Sequence, residues 1–123
     1  MKPIRILIAE DDMLIAMFLT DLLTMMGHVI CATTCDQDET VAAAAEHAPD
    51  LLIVDDGLRE GSGISAVDEI LKTGFVPHIF ATGDCYRVLK HRPTAIVLQK
   101  PFSTDAIIRA IERAVGPPAG AEN

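Results

Sequence analysis

The sequence predicts an α/β fold: one doubly wound, parallel, five-stranded sheet with helices on both faces. Three observations lead there. Five short apolar runs alternate along the chain with five segments of helical character. The runs are almost continuously apolar, the pattern of parallel strands covered on both sides rather than of a sheet with one wet face. Glu10, Asp11, Asp55, Thr82 and Lys100 all stand just past such runs, at the edge where ligands of these sheets bind.

Residues 4–9 form the first run. Asp11 or Asp12 then caps a helix in which Leu14, Phe18, Leu22 and Met25 recur at helical spacing. Gly27 supplies the left-handed residue that ends it. Residues 28–33 read as the second strand. Asp36 or Asp38 caps the alanine-rich helix 39–47, which Pro49 stops. Residues 51–54 are a third, wholly apolar strand. The stretch 55–63 holds three glycines and continues neither kind of element, so it reads as a loop.

Ile64, Val67, Ile70 and Leu71 mark a helix ending at Gly74, and strand four covers 78–81 after Pro77. Segment 83–93 is weakly patterned; Val88 and Leu89 indicate a short helix that Pro93 ends. Strand five is 95–98. Thr104 caps the last helix, with Ile107, Ile108, Ile111, Ala114 and Val115 on one face. The domain is expected to span 1–116. The stretch 117–123, with Pro117 and Pro118, reads as a flexible tail.

A chain of 123 residues fits one domain. Its 10 Lys plus Arg against 18 Asp plus Glu give a net charge of −8. That balance argues against nucleic acid as a direct ligand, because phosphate backbones need clustered Lys and Arg. Cys31, Cys35 and Cys85 form an odd set without framework spacing, which suits a reducing cytosol. With His28, the first two lack the second pair that a zinc site needs. The first apolar run stops at Glu10, too soon for a signal peptide, and none approaches a membrane span. A cytoplasmic, membrane-free protein is expected.

Each strand-end feature has an ordinary explanation on its own. Capping and helix-dipole charge account for an acidic triplet at Glu10, Asp11 and Asp12, and turn propensity accounts for Asp55-Asp56. Their coincidence on one sheet edge points to phosphoryl transfer. Clustered carboxylates repel one another unless a divalent cation joins them, and oxygen ligands select Mg²⁺. An aspartate can be the nucleophile, while a hydroxyl and an ammonium stabilise the transferring oxygens.

The blocks Ile6-Leu7-Ile8-Ala9-Glu10-Asp11-Asp12, Asp50-Leu51-Leu52-Ile53-Val54-Asp55, Ala81-Thr82-Gly83 and Lys100-Pro101-Phe102 resemble the signatures of bacterial response-regulator receiver domains. The resemblance runs in order from about residue 4 to residue 115. It implies the flavodoxin-like receiver fold with strand order 2-1-3-4-5, Asp55 as phospho-acceptor, and Glu10 and Asp11 as Mg²⁺ ligands. It further implies the Gly57 backbone carbonyl as another ligand, Thr82 and Lys100 at the phosphoryl group, and a cis Lys100–Pro101 bond. Asp11-Asp12 is the other register for the metal pair. Glu10-Asp11 is preferred because four apolar residues precede Glu10 just as four precede Asp55. Asp56 competes with Asp55 as acceptor, but strand alternation turns it elsewhere.

The chain departs from the family pattern in two places. Arg59 stands where many receivers have a proline, and Val97 stands where many have a switch aromatic. Phe80-Ala81-Thr82-Gly83 and Leu98-Gln99-Lys100-Pro101-Phe102 resemble alphaproteobacterial variants, with Tyr86 the nearest replacement aromatic. Reordering on phosphorylation is expected in 83–93, which Thr82 borders.

The resemblance thus implies a phosphorelay switch, not a metabolic enzyme: a stand-alone CheY-like response regulator promoting its own phosphorylation and dephosphorylation. Its donor would be a histidine kinase or histidine phosphotransfer protein, and its target a separate downstream protein. A hybrid-kinase receiver and an unphosphorylated pseudo-receiver are the alternatives. The retained acceptor, acidic pair, Thr and Lys count against the second. An aspartyl phosphatase would show Asp-x-Asp where Glu10-Asp11-Asp12 gives Glu-x-Asp, and this acidic edge would repel a flavin phosphate.

Overall fold

Successive residues of a strand point to opposite faces, and the two cores of this protein divide along that alternation. The computed structural model describes residues 2–116. The expected tail at 117–123 lies outside them. The strands are β1 (Arg5–Ala9), β2 (Val29–Thr34), β3 (Leu51–Asp55), β4 (His78–Thr82) and β5 (Ile96–Gln99). Between and after them come α1 (Met13–Met25), α2 (Gln37–His47), α3 (Gly63–Leu71), α4 (Cys85–His91) and α5 (Thr104–Val115). All strand pairs are parallel, in the order β2-β1-β3-β4-β5.

Ile6, Ile8, Leu51, Ile53, Ile79 and Leu98 face one side, where Leu19 and Leu23 of α1 and Ile107 and Ile111 of α5 cover them. Leu7, Leu52, Val54 and Phe80 face the other, under Ala44 of α2, Val67 and Ile70 of α3, and Val88 of α4. Both faces are therefore dry, which is why the strands lack polar alternation. No helix among the described residues is long and apolar enough to cross a membrane.

The elements match the sequence reading in number, kind and order, and differ at their ends. Asp55 and Thr82 belong to β3 and β4, because the ladder continues one residue past the apolar run: Asp55 pairs with Ala81 and Thr82 with Gln99. Asp12 is the cap of α1, accepting from the amides of Leu14 and Ile15 at 2.9 and 3.3 Å. Asp36 caps α2, accepting from Glu39 at 2.8 Å. The expected Thr104 cap is corrected to Ser103, whose Oγ accepts from the Ala106 amide at 3.1 Å. Gly27 takes the expected left-handed conformation (φ 95°), and Lys100–Pro101 is cis.

Gly63, the first residue of α3, has the narrowest allowance among the described glycines. A Cβ there would lie 2.1 Å from the Asp55 carbonyl oxygen and 2.6 Å from Val54 Cγ1, whereas one at Gly57 would meet nothing within 4 Å. Gly63→Ala is therefore expected to destabilise the fold by about 1–3 kcal/mol or more through overpacking, and Gly57→Ala far less. Urea unfolding of the two variants checks the contrast.

His28, just before β2, is buried. Its Nδ1 accepts from the Ile4 amide at 3.2 Å, and its buried Nε2 has no partner among the described residues. Burial pushes its pKa down. The native state thus favours the neutral ring, so this contribution to stability is full above pH about 6.5, the unfolded value, and declines as pH falls below it. The expected outcome is a smaller loss of stability between pH 7.5 and 5.5 in His28→Asn than in wild type. Paired urea titrations measure it.

Candidate functional site

The carboxyl edge of the sheet collects side chains from four strand ends. After β1, the Glu10 amide donates to the Thr34 carbonyl at 2.9 Å, and its side chain turns inward to 4% exposure. Asp11 stays exposed beside it. Asp55 ends β3 at 8% exposure, its Oδ1 accepting from the Gly57 amide at 3.1 Å. From the end of β5, Lys100 places its Nζ 2.8 Å from Glu10 Oε1 and 2.9 Å from Asp55 Oδ2. The Lys100 backbone amide donates to the Thr82 carbonyl at 2.7 Å, which ties the end of β5 to that of β4. Thr82 is wholly buried and its Oγ1 accepts from the Asp84 amide at 2.9 Å, leaving the hydroxyl proton free to donate.

Carboxylate oxygens of Glu10, Asp11 and Asp55 lie within 4.8 Å of one another. Burial first, then the hydrogen bond to Asp55, pushes the Glu10 carboxyl up to about 7, with Lys100 pulling the other way. Burial would raise Asp55 too. The hydrogen bonds from Glu10, Lys100 and the Gly57 amide outweigh it and hold Asp55 below the usual carboxylate range. Burial lowers Lys100, but its bonds to both carboxylates raise it more. One ammonium thus serves two buried carboxylates, with the exposed carboxylate of Asp11 beside them. All the side-chain donors are oxygens, and Glu10 ionises reluctantly because it is buried beside Asp55. A hard divalent cation fits this donor set.

Glu10, Asp11, Asp55 and Lys100 are therefore brought together, with Gly57 joined through its amide. Thr82 stands at the end of β4, the strand between β3 and β5. Asp56 turns away: its Oδ2 accepts from Arg87 Nε of α4 at 3.0 Å. Val97 is half-buried on β5, and Tyr86 points out.

Two features escaped the sequence. Arg87 carries no motif, and only the fold brings it to Asp56. The α1 spacing of Leu14, Phe18, Leu22 and Met25 reads as a buried face, but of these only Leu22 packs against the core and the other three are exposed. Ala16, Leu19 and Leu23 are the buried positions, while Met13 and Leu14 are 77% and 76% exposed and Met17 and Phe18 are also open. The helix is apolar nearly all round, so periodicity cannot tell its inside from its outside. Phe18 lies 6.4 Å from Phe102, ring centroid to centroid, and with Leu14, Lys100 and Pro101 they line a groove of about 400 Å³ beside the site.

The model of the response regulator receiver domain matches residues 6–112. The transcriptional regulatory protein PdtaR of Mycobacterium tuberculosis is 38% identical over 117 residues, covering 92% of this chain and 57% of that protein. The phyllosphere-induced regulator PhyR of Methylorubrum extorquens is 39% identical over 115 residues, covering 90% and 43%. The chain thus spans about half the length of these relatives. The solution structure of the PhyR receiver domain of Erythrobacter litoralis superimposes with a TM-score of 0.84 at 34% identity, over 92% of this chain and 90% of that one.

A cation bound by these carboxylates stabilises the native state by mass action, by about 2.7 kcal/mol at a hundredfold excess over Kd. Millimolar Mg²⁺ is expected to raise the melting temperature of the wild type, and Asp11→Asn to lose most of the rise. Thermal melts with and without Mg²⁺ decide it; a flat wild-type response would contradict the fit.

Proposed function

The chain belongs to the response regulator receiver domain family, and on that footing we propose that it is a phosphorylation-controlled switch with Asp55 as the phospho-acceptor. The carrying observation is the position of Asp55: buried at the end of β3, its carboxyl held below the usual range, and 2.9 Å from Lys100 Nζ. The donor is a phosphohistidine of a histidine kinase or phosphotransfer protein. An Asp55 carboxylate oxygen attacks phosphorus, the phosphorus–nitrogen bond breaks, and the imidazole leaves with a proton.

Lys100 holds Asp55 in place before transfer and faces the phosphoryl oxygens after it. The Thr82 hydroxyl is proposed to donate to one of those oxygens. Glu10 and Asp11, with Asp55 and the Gly57 carbonyl, would hold Mg²⁺. That ion supplies neutralisation of the charge spread over the transferring group. The same groups, with a water in line, serve hydrolysis of the acyl phosphate, which resets the switch.

The exposed apolar residues Met13 and Met17 lie beside Glu10 and Asp11, and Leu14 and Phe18 beside Lys100. They suit a helical donor protein that must bring its histidine there, since open apolar patches mark protein contacts. Output then passes by protein–protein contact to a downstream target. The net charge of −8 argues against direct nucleic-acid binding. A phosphohistidine donor and the free cysteines Cys31, Cys35 and Cys85 fit a cytoplasmic setting.

Incubation with acetyl phosphate and Mg²⁺ is expected to add one phosphoryl group by mass spectrometry, and none in Asp55→Asn. Lys100→Met should slow the reaction by about 10²–10³-fold, as loss of a charge-stabilising group does. An unmodified wild type would leave the chain an interaction module that keeps the fold without phosphorylation.

A further inference from the structure

Asp56 is a buried carboxylate at the sheet edge that phosphoryl transfer does not use. It follows Asp55 directly and accepts from both Nε and Nη2 of Arg87. A buried carboxylate needs a cation, and here the cation comes from a side chain that is 57% exposed. Among the described residues, Arg87 alone carries a side-chain hydrogen bond from α4 to the end of β3.

The rest of the attachment of α4 is light. The helix has seven residues, of which only Val88 is buried. Its first amide donates to Gln99 Oε1 at 3.0 Å, and Gln99 Nε2 donates to the Gly83 carbonyl at 2.8 Å. These are polar partners that can exchange. Arg87 already lies in the field of several carboxylates: Asp56 above all, then Asp84 and Asp55, hold its pKa above the ordinary value. A phosphoryl group on Asp55 adds a charge of about −1.5 to −2 at pH 7 and three acceptor oxygens. A guanidinium has donors enough to serve Asp56 and such a group at once.

Resting on the reading of Asp55 as acceptor, we propose that Arg87 is a second cationic ligand of the phosphoryl group. In the unmodified chain Asp56 holds it. On phosphorylation it turns to bridge Asp56 and the phosphoryl oxygens, drawing α4 toward the end of β3. Charge thereby couples the site to α4, in a chain whose β5 carries Val97 in place of an aromatic.

Beryllofluoride with Mg²⁺ imitates an aspartyl phosphoryl group without turnover. It is titrated into wild type, Arg87→Gln and Asp56→Asn, following the ¹⁵N resonances of Arg87 Nε and of the amides 84–92. The wild-type Nε should shift at saturation. Arg87→Gln should bind about tenfold more weakly, the loss of one charge-assisted hydrogen bond, and its α4 amides should no longer respond. Asp56→Asn, which frees Arg87, should keep both affinity and response. Equal losses in the two variants would reduce the pair to a structural tie and overturn the proposal, as would an unmoved Nε in saturated wild type. No binding by wild type would instead overturn the acceptor reading, and this proposal with it.

Discussion

A single ammonium holds the functional edge of this sheet together. Lys100 reaches Glu10 and Asp55 from β5, although β4 lies between β5 and β3. Only a long side chain spans that gap, and the Lys100 amide bonded to the Thr82 carbonyl fixes its origin at the end of β4. Without it, two buried carboxylates would face each other unscreened, the arrangement that drives one of them to take a proton. Even with it, Glu10 sits at about 7. The site is short of positive charge, an imbalance that a divalent cation would relieve.

The same economy governs the surfaces around the site. Burying both faces of the sheet consumes one side of every helix, yet α1 keeps Met13, Leu14, Met17 and Phe18 open at the mouth of the acidic pocket. Such exposure gains nothing for folding, and apolar patches of this kind mark interaction sites. On the opposite flank α4 is short and is held by one buried side chain, Val88, and by polar ties. One flank of Asp55 therefore suits the docking of a donor, and the other suits movement after transfer. The net charge of −8 is in part the cost of concentrating Glu10, Asp11, Asp55 and Asp56 along one edge.

Much of this was legible in the sequence because the two dry sheet faces force continuous apolar strands, and the polar residues that interrupt them stand where the chemistry is. Those residues also explain the errors at strand ends. Asp55 and Thr82 end the hydrophobic pattern one residue before the hydrogen-bond ladder ends. The cap of α5 was misplaced because Ser103 and Thr104 are equivalent in propensity and only the bond to Ala106 separates them. The exposed face of α1 and the partnership of Arg87 with Asp56 were hidden for a different reason. An all-round apolar helix has no readable direction, and a contact across 31 positions leaves no local trace.

The claim on which the rest stands is that Asp55, and not its neighbour, takes the phosphoryl group. Borohydride reduces an aspartyl phosphate to homoserine, which tandem mass spectrometry locates to a single residue. After treatment with acetyl phosphate and Mg²⁺, homoserine should be found at position 55 alone and be absent when Mg²⁺ is withheld. Homoserine at position 56, or none with Mg²⁺ present, would contradict the account.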